Sequence, residues 1–162
     1  MSRNPSADVF RSFLLSAGAE ARRRGDRRIG TEHLLLGLLY DASSPAAVAL
    51  GVSLADLRRA AEALDVAALA AVGVEVESPA SATRVTPSRH LPPLTSGARA
   101  VIKRGADAAR PRRHGSLSAT HFLLALLELP APDPAAALLD AAGVDRVAVR
   151  RRLNGRANGH VA

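Results

Sequence analysis

Three features lead to an all-α chain of two pseudo-symmetric four-helix repeats. A motif occurs twice: Ile29-Gly30-Thr31-Glu32-His33-Leu34-Leu35-Leu36-Gly37-Leu38-Leu39 returns 88 positions later as Leu117-Ser118-Ala119-Thr120-His121-Phe122-Leu123-Leu124-Ala125-Leu126-Leu127. Apolar residues around both copies recur at the spacing of a helix face. Capping and breaking residues punctuate the halves at matched places: Gly51-Val52 answers Gly143-Val144, and Arg58-Arg59 answers Arg150-Arg151. For these later pairs the offset has grown to 92, an increase of about one helical turn. The third helix of the second copy is therefore expected to be one turn longer. Two stacked copies of a helical unit leave a natural binding groove at their seam.

The first helix is expected over 7–24, with Ser6 as its N-cap and Phe10, Phe13, Leu14, Ala17 and Ala21 on its inner side. Gly25 ends it. Thr31 caps a second helix over 32–40, where Glu32 meets the positive helix start. This helix is apolar nearly all round (Leu34, Leu35, Leu36, Leu38, Leu39), which puts it at the centre of the bundle. Pro45 opens a short third helix that stops at Gly51. Ser53 caps a fourth over 54–64, and the small apolar residues 66–72 can prolong it. Residues 73–93 hold Pro79, Pro87, Pro92 and Pro93 among Ser and Thr and read as a linker; the alternation over 74–77 offers a short strand at most. In the second repeat, Thr95 caps a fifth helix reaching Arg110, and Ser118 caps a sixth over 119–129. Pro134 opens a seventh helix that ends before Gly143, and an eighth covers 145–153. The expected organisation is repeat 1 over 6–72, linker over 73–93, repeat 2 over 94–153 and a polar, disordered tail over 154–162.

With 48% hydrophobic residues the chain can build a core, and with Phe10, Phe13, Phe122 and Tyr40 as its only aromatics that core is aliphatic. The absence of cysteine excludes disulfides and thiolate zinc sites. No apolar run approaches the ~20 residues of a membrane span. The N-terminal residues lack the apolar core of a signal peptide, so a soluble cytoplasmic protein is expected, and Met1 with the polar tail leads to the expectation of a complete chain. The net charge is +7, with arginines grouped at Arg22-Arg23-Arg24, Arg27-Arg28, Arg110, Arg112-Arg113 and Arg150-Arg151-Arg152. Such clusters raise nucleic-acid binding as a rival reading. Against it, cations at helix ends oppose the dipole, there are few aromatics to stack bases, and Lys103 as the sole lysine points to a GC-rich genome.

No catalytic constellation is present. There is no G-x-x-x-x-G-K-[ST] phosphate loop, so no ATP site is expected, and no nucleophile elbow. His33, His90, His114, His121 and His160 fall in no metal-ligand spacing. His33 and His121 are symmetry mates at the starts of the two central helices, and each is expected to donate a hydrogen bond to a neighbouring turn. No enzyme activity, cofactor or metal is expected; what remains is recognition.

The string I-G-T-E-H-L-L-L-G-L-L at 29–39 resembles the signature of the Clp N-terminal (Clp repeat) domain. That domain is the double four-helix module at the front of Clp-type AAA+ unfoldases such as ClpA, ClpC and ClpB. The likeness covers roughly 6–153, with the second copy reduced to register and apolar pattern. It implies a free-standing module that binds a peptide or protein substrate, an adaptor or a Clp unfoldase. In some members the glutamate of the T-E-H motif holds the guanidinium of phosphoarginine, and donors at the start of a repeat's first helix hold the phosphate. Carried over, the first copy keeps Glu32 but has Ser6-Ala7 where the family has Phe-Thr. The second keeps Thr95 but has Thr120 in place of the glutamate. Two half-sites result. An aromatic pair that meets cyclic peptides in ClpC proteins would fall near Ser6 and Leu94, both non-aromatic here, with Phe10 one turn further in. The candidate binding residues are therefore Ser6, Phe10, Glu32, His33, Thr95, Thr120 and His121. The expected action is delivery, competition or sequestration. A scavenger of peptide-like small molecules, with a cyclic peptide as ligand, is the remaining alternative.

Overall fold

The computed structural model describes residues 5–75, 90–109 and 117–158. They form eight helices: α1 Pro5–Arg24, α2 Thr31–Gly37, α3 Pro45–Leu50, α4 Leu54–Ala71, α5 Ser96–Ala109, α6 Ala119–Leu127, α7 Pro134–Ala141 and α8 Arg146–Asn158. No strand occurs among the described residues. None of these helices is long and apolar enough to cross a membrane.

Caps explain most of the boundaries. Ser44 and Ser53 accept from the backbone of Ala47 and Asp56, and Pro45 and Pro134 open α3 and α7. Thr95 Oγ1 accepts the Ala98 N–H at the start of α5. Gly51 and Gly143, the symmetric pair that closes α3 and α7, have φ of 73° and 68°, a region that costs a side chain but not glycine.

Several expected boundaries are corrected. α1 already begins at Pro5, so Ser6 lies inside its first turn and is not the cap; proline's fixed φ suits that opening position. Gly30, not Thr31, is the N-cap of α2. α2 and α6 stop at Gly37 and Leu127, short of the expected 40 and 129. α4 takes up the small apolar residues and runs to Ala71. α7 has 8 residues against 6 in α3, so only part of the extra length is helical. α8 continues to Asn158, into the stretch expected to be disordered. Val74 and Glu75 carry no strand; the rest of 74–77, with Pro79, Pro87 and Arg110 to Arg113, lies outside the described residues.

The halves are related by an approximate two-fold axis, visible in which helices touch. α2 packs on α7 as α6 packs on α3; α4 packs on α7 as α8 packs on α3; α2 touches α5 as α6 touches α1; and α2 meets α6 at the centre. Each repeat thus lays its third and fourth helices on the other. Leu35 and Leu123, the mates from the two central helices, are both fully buried in one core. Phe13 stacks on Phe122 across the repeats, ring centroids 4.6 Å apart. Close approach of paired helices depends on a missing side chain: a Cβ at Gly37 would stand 2.8 Å from the Ala17 backbone N, and one at Gly105 2.6 Å from Phe122 Cδ1. The end of the linker is pinned as well. Ile29 N–H donates to Pro93 O at 2.9 Å and Thr95 N–H to Ile29 O at 2.9 Å, a parallel bridge that sets the start of α5 beside the start of α2.

Candidate functional site

The start of α2 gathers two of the three buried polar side chains among the described residues, Thr31 and His33. Thr31 is buried and reaches across the seam: its hydroxyl donates to Asp133 Oδ1 at 2.7 Å and accepts the Ala135 N–H at 3.3 Å. It thereby ties α2 to the first turn of α7. His33, also buried, accepts the Gly30 N–H on Nδ1 at 2.9 Å and faces Asp26 Oδ2 from Nε2 at 2.9 Å. An accepting Nδ1 puts the ring proton on Nε2, where it donates to Asp26. The ring therefore accepts from its own turn and donates to Asp26 in the turn after α1, the donation expected of it. His121 repeats the arrangement in α6, its Nδ1 3.2 Å from the Ser118 N and 2.9 Å from Ser118 Oγ. The two histidines are helix-start caps.

Glu32 differs from its neighbours. Its carboxylate folds back over Gly30, close enough that a Cβ there would lie 2.4 Å from Oε2. Oε2 is buried without a hydrogen-bond partner. Oε1 stands 3.4 Å from His33 Nδ1, but that nitrogen's lone pair already receives the Gly30 N–H, so the two acceptors oppose one another. A buried carboxylate oxygen with no donor is a costly arrangement in isolation and a prepared one for a cationic ligand. Beside it a groove of about 310 Å³ opens between α4 and α7. Leu64, Ala68, Ala137 and Leu138 give it apolar walls, and Arg24, Glu32 and Asp65 give it charge. The groove spans the seam, since α4 belongs to the first repeat and α7 to the second.

Arg24 donates to Asp65 Oδ1 at 3.1 Å and to Asp26 Oδ2 at 3.3 Å. Burial works against its charge, but Asp65 and then Asp26 outweigh that and raise its pKa. Asp26, Glu32 and His33 offer three donor atoms within 4.8 Å of one another. A metal on His33 Nε2 would require the proton on Nδ1, where the Gly30 N–H already points. The donor set does not fit a cation without breaking the helix cap.

The remaining candidate residues are dispersed. Thr95 is brought alongside Ile29 by the bridge, so the start of the second repeat's first helix stands next to Glu32's turn. Thr120 and His121 lie on α6, away from the groove between α4 and α7. Phe10 packs 6.0 Å from Phe122 as part of the core edge. Ser6 lies in the first turn of α1. Sequence reasoning missed Asp133, Arg24 and Asp65. Asp133 carried a signal, an N-cap residue directly before Pro134; the other two meet only through tertiary packing.

Much of the basic charge is engaged within the protein. Arg58 and Arg23 pair with Glu20, Arg59 with Asp56, and Arg24 with Asp65. Arg146 donates to Leu129 O, Ala136 O and Asp140, and Arg152 Nη1 to Ala49 O at 2.9 Å. Arg146 and Arg152 reach carbonyls at the ends of α6 and α3 and the others pair with carboxylates, which removes part of the case for a phosphate-backbone surface.

The sequence profile of the Clp repeat (R) N-terminal domain matches residues 7–90. The chaperone protein ClpC1, chloroplastic, of Oryza sativa subsp. japonica is 29% identical over 143 residues, covering 86% of this chain and 14% of its own length. The ATP-dependent Clp protease ATP-binding subunit ClpA homolog CD4B, chloroplastic, of Solanum lycopersicum is 30% identical over 143 residues, covering 86% and 14%. The chain therefore spans only 14% of the length of these relatives. Among solved structures, the N-terminal domain of the caseinolytic protease associated chaperone ClpD from Arabidopsis thaliana superposes with a TM-score of 0.67 at 16% identity. That match covers 93% of this chain and 92% of that one, and it establishes the double-repeat fold.

Proposed function

We propose, from the premise that this chain belongs to the Clp repeat (R) N-terminal domain family, that it is a non-enzymatic peptide-binding module of the Clp protease-chaperone system. It recognises substrates, adaptors or unfoldase partners in the cytoplasm and acts by delivery, competition or sequestration. A module that shares ligands with an unfoldase lowers their free concentration by mass action.

One observation carries this reading: the unpartnered Glu32 Oε2 beside an apolar groove that crosses the seam. A peptide arginine presents donors in a planar fork that matches a carboxylate, and its neighbours find Leu64, Ala68 and Leu138. Thr95, brought to the same end of the molecule by the Ile29–Leu94 bridge, makes the site a composite of both repeats. Glu32 supplies the guanidinium partner, and the start of α5 supplies the hydroxyl for a modified arginine.

Fluorescence anisotropy with a labelled apolar peptide bearing one central arginine, phosphoarginine or citrulline tests it. The arginine forms are expected to bind, and citrulline, isosteric but neutral, to bind on the order of tenfold more weakly. Glu32→Gln should weaken the arginine forms by a similar factor. Equal binding of arginine and citrulline peptides, unchanged by Glu32→Gln, would overturn the assignment.

A further inference from the structure

A second pocket, of about 300 Å³, lies among α5, α6 and α8, lined by Arg104, Ala108, His121, Ala125, Glu128 and Arg150. Its meaning comes from the two-fold relation. Burial fixes the register of the copies: Ala17 matches Gly105 and Ala21 matches Ala109 in α1 and α5, while Leu57 matches Val149 and Ala61 matches Leu153 in α4 and α8, all buried. In that register Ala108 stands where repeat 1 has Glu20, Glu128 where it has Tyr40, and Arg150 where it has Arg58.

In repeat 1 this place is filled from within. Glu20 is 0% exposed. Its carboxylate accepts from Arg58 in a fork, from the Tyr40 hydroxyl at 2.9 Å and from Arg23 Nε at 3.3 Å. In repeat 2 the carboxylate is missing and the arginine has stayed. Among the described residues Arg150 and Arg104 approach the carboxylate of Glu128, at 3.8 and 3.6 Å, beyond hydrogen-bond distance, and all three side chains are about half exposed. As in repeat 1, two guanidinium groups face one carboxylate, but here it stands at the Tyr40 position, half exposed and out of hydrogen-bond reach, so the space that Glu20 fills in the other copy has no carboxylate of its own.

We infer that this pocket binds a peptide carboxylate, seated between Arg104 and Arg150 as Glu20 is seated on Arg58. The source is either a C-terminal carboxylate or an acidic side chain. The inference shares with the proposed function only the premise that the ligand is a peptide. The Glu32 groove lies between other helices, so either site can fail without the other.

The test is an NMR titration of the ¹⁵N-labelled full chain with three probes: an Ala/Leu hexapeptide with a free C-terminus, its C-terminal amide, and that amide with one internal glutamate. The carboxylate peptides are expected to shift the Nε–H signals of Arg104 and Arg150 and the amides of Ala108 and Ala125, and the plain amide to leave them in place. Whichever carboxylate peptide binds more tightly identifies the source. Ala108→Glu installs the missing group at an exposed position and should cut binding on the order of tenfold, whereas Ala108→Gln fills space without charge. Arg150→Gln should cut it by a similar factor, and Glu32→Gln should not. Equal shifts from the plain amide, wild-type binding by Ala108→Glu, or shifts from inorganic phosphate with both carboxylate peptides silent would overturn the inference.

Discussion

Glu20 holds a charge with no exposed surface, which ties its contribution to stability to pH. Burial pushes its carboxyl up, but hydrogen bonds from Arg58 and Tyr40, then the charges of Arg58 and Arg23, outweigh that and hold it below its ordinary value of 4.5. A carboxyl depressed by folding contributes stability that is complete above the unfolded pKa and is lost as pH falls through the folded one. The contribution should therefore stand at neutral pH and drain away below about 4.5. Glu20→Gln is expected to cost about 1–3 kcal/mol at pH 7, because it leaves Arg58 without its carboxylate. Chemical denaturation of both forms at several pH values checks this, and the gap should close in acid; a constant gap would mean that packing, not charge, is at stake. Nothing in the sequence marks Glu20 as buried, since its partners Tyr40 and Arg58 come from the turn after α2 and from α4. His33 was legible as a helix-start histidine but not in its protonation, which the Gly30 N–H decides. Glu32 was legible as a site residue. That its Oε2 lacks a donor became visible only once His33 Nδ1 was seen to be occupied.

The helix pair α1–α2 shows what the apolar period conveys and what it leaves out. With the caps and breakers, the period located all eight helices, and it gave the inner side of α1, because burial imposes it. It did not give distances. Gly37 reads in sequence as one more small residue in an apolar run, yet its missing Cβ lets α1 come within 2.8 Å of where that atom would be, against the Ala17 backbone N. Backbone cannot rotate aside as a side chain can, so Gly37→Ala must part the two helices. The expected cost is about 1–3 kcal/mol, read as a lower denaturation midpoint with an unchanged slope. A midpoint equal to wild type would show that α1 rides freely on α2. Boundaries were the less legible part for related reasons. α8 was expected to end at Leu153 because Gly155 follows shortly. A glycine costs a helix only about 1 kcal/mol, and the helix runs on to Asn158. Thr31 has the composition of a cap, but Asp133 across the seam draws its hydroxyl into a tertiary bond.

The duplication was legible from the repeated motif alone, and so was the central placing of α2 and α6. What the spacing could not disclose is that the repeats exchange cover. α3 and α4 rest on α6, α7 and α8, and α7 and α8 rest in turn on α2, α3 and α4. The polar bonds follow the same exchange: Thr31 with Asp133, Arg152 with Ala49 O, and the Ile29–Leu94 bridge all cross between halves. Each repeat has roughly the length at which a small domain becomes self-sufficient, but its apolar faces are covered by the other. Leu35 and Leu123 are buried in one shared core, and Phe122 of the second repeat is walled by Phe13 of the first. A repeat on its own would expose these faces and lose the burial that offsets chain entropy. Splitting the chain after Thr83 should therefore give two fragments with little helix by circular dichroism. Mixing them should restore helicity with a concentration-dependent midpoint, as for any obligate pair. A first fragment that melts cooperatively on its own would mean that the exchange is decorative and that each repeat carries its own core. The groove at Glu32 would then belong to two tethered domains, whereas a shared core makes its two walls, α4 and α7, parts of one rigid seam.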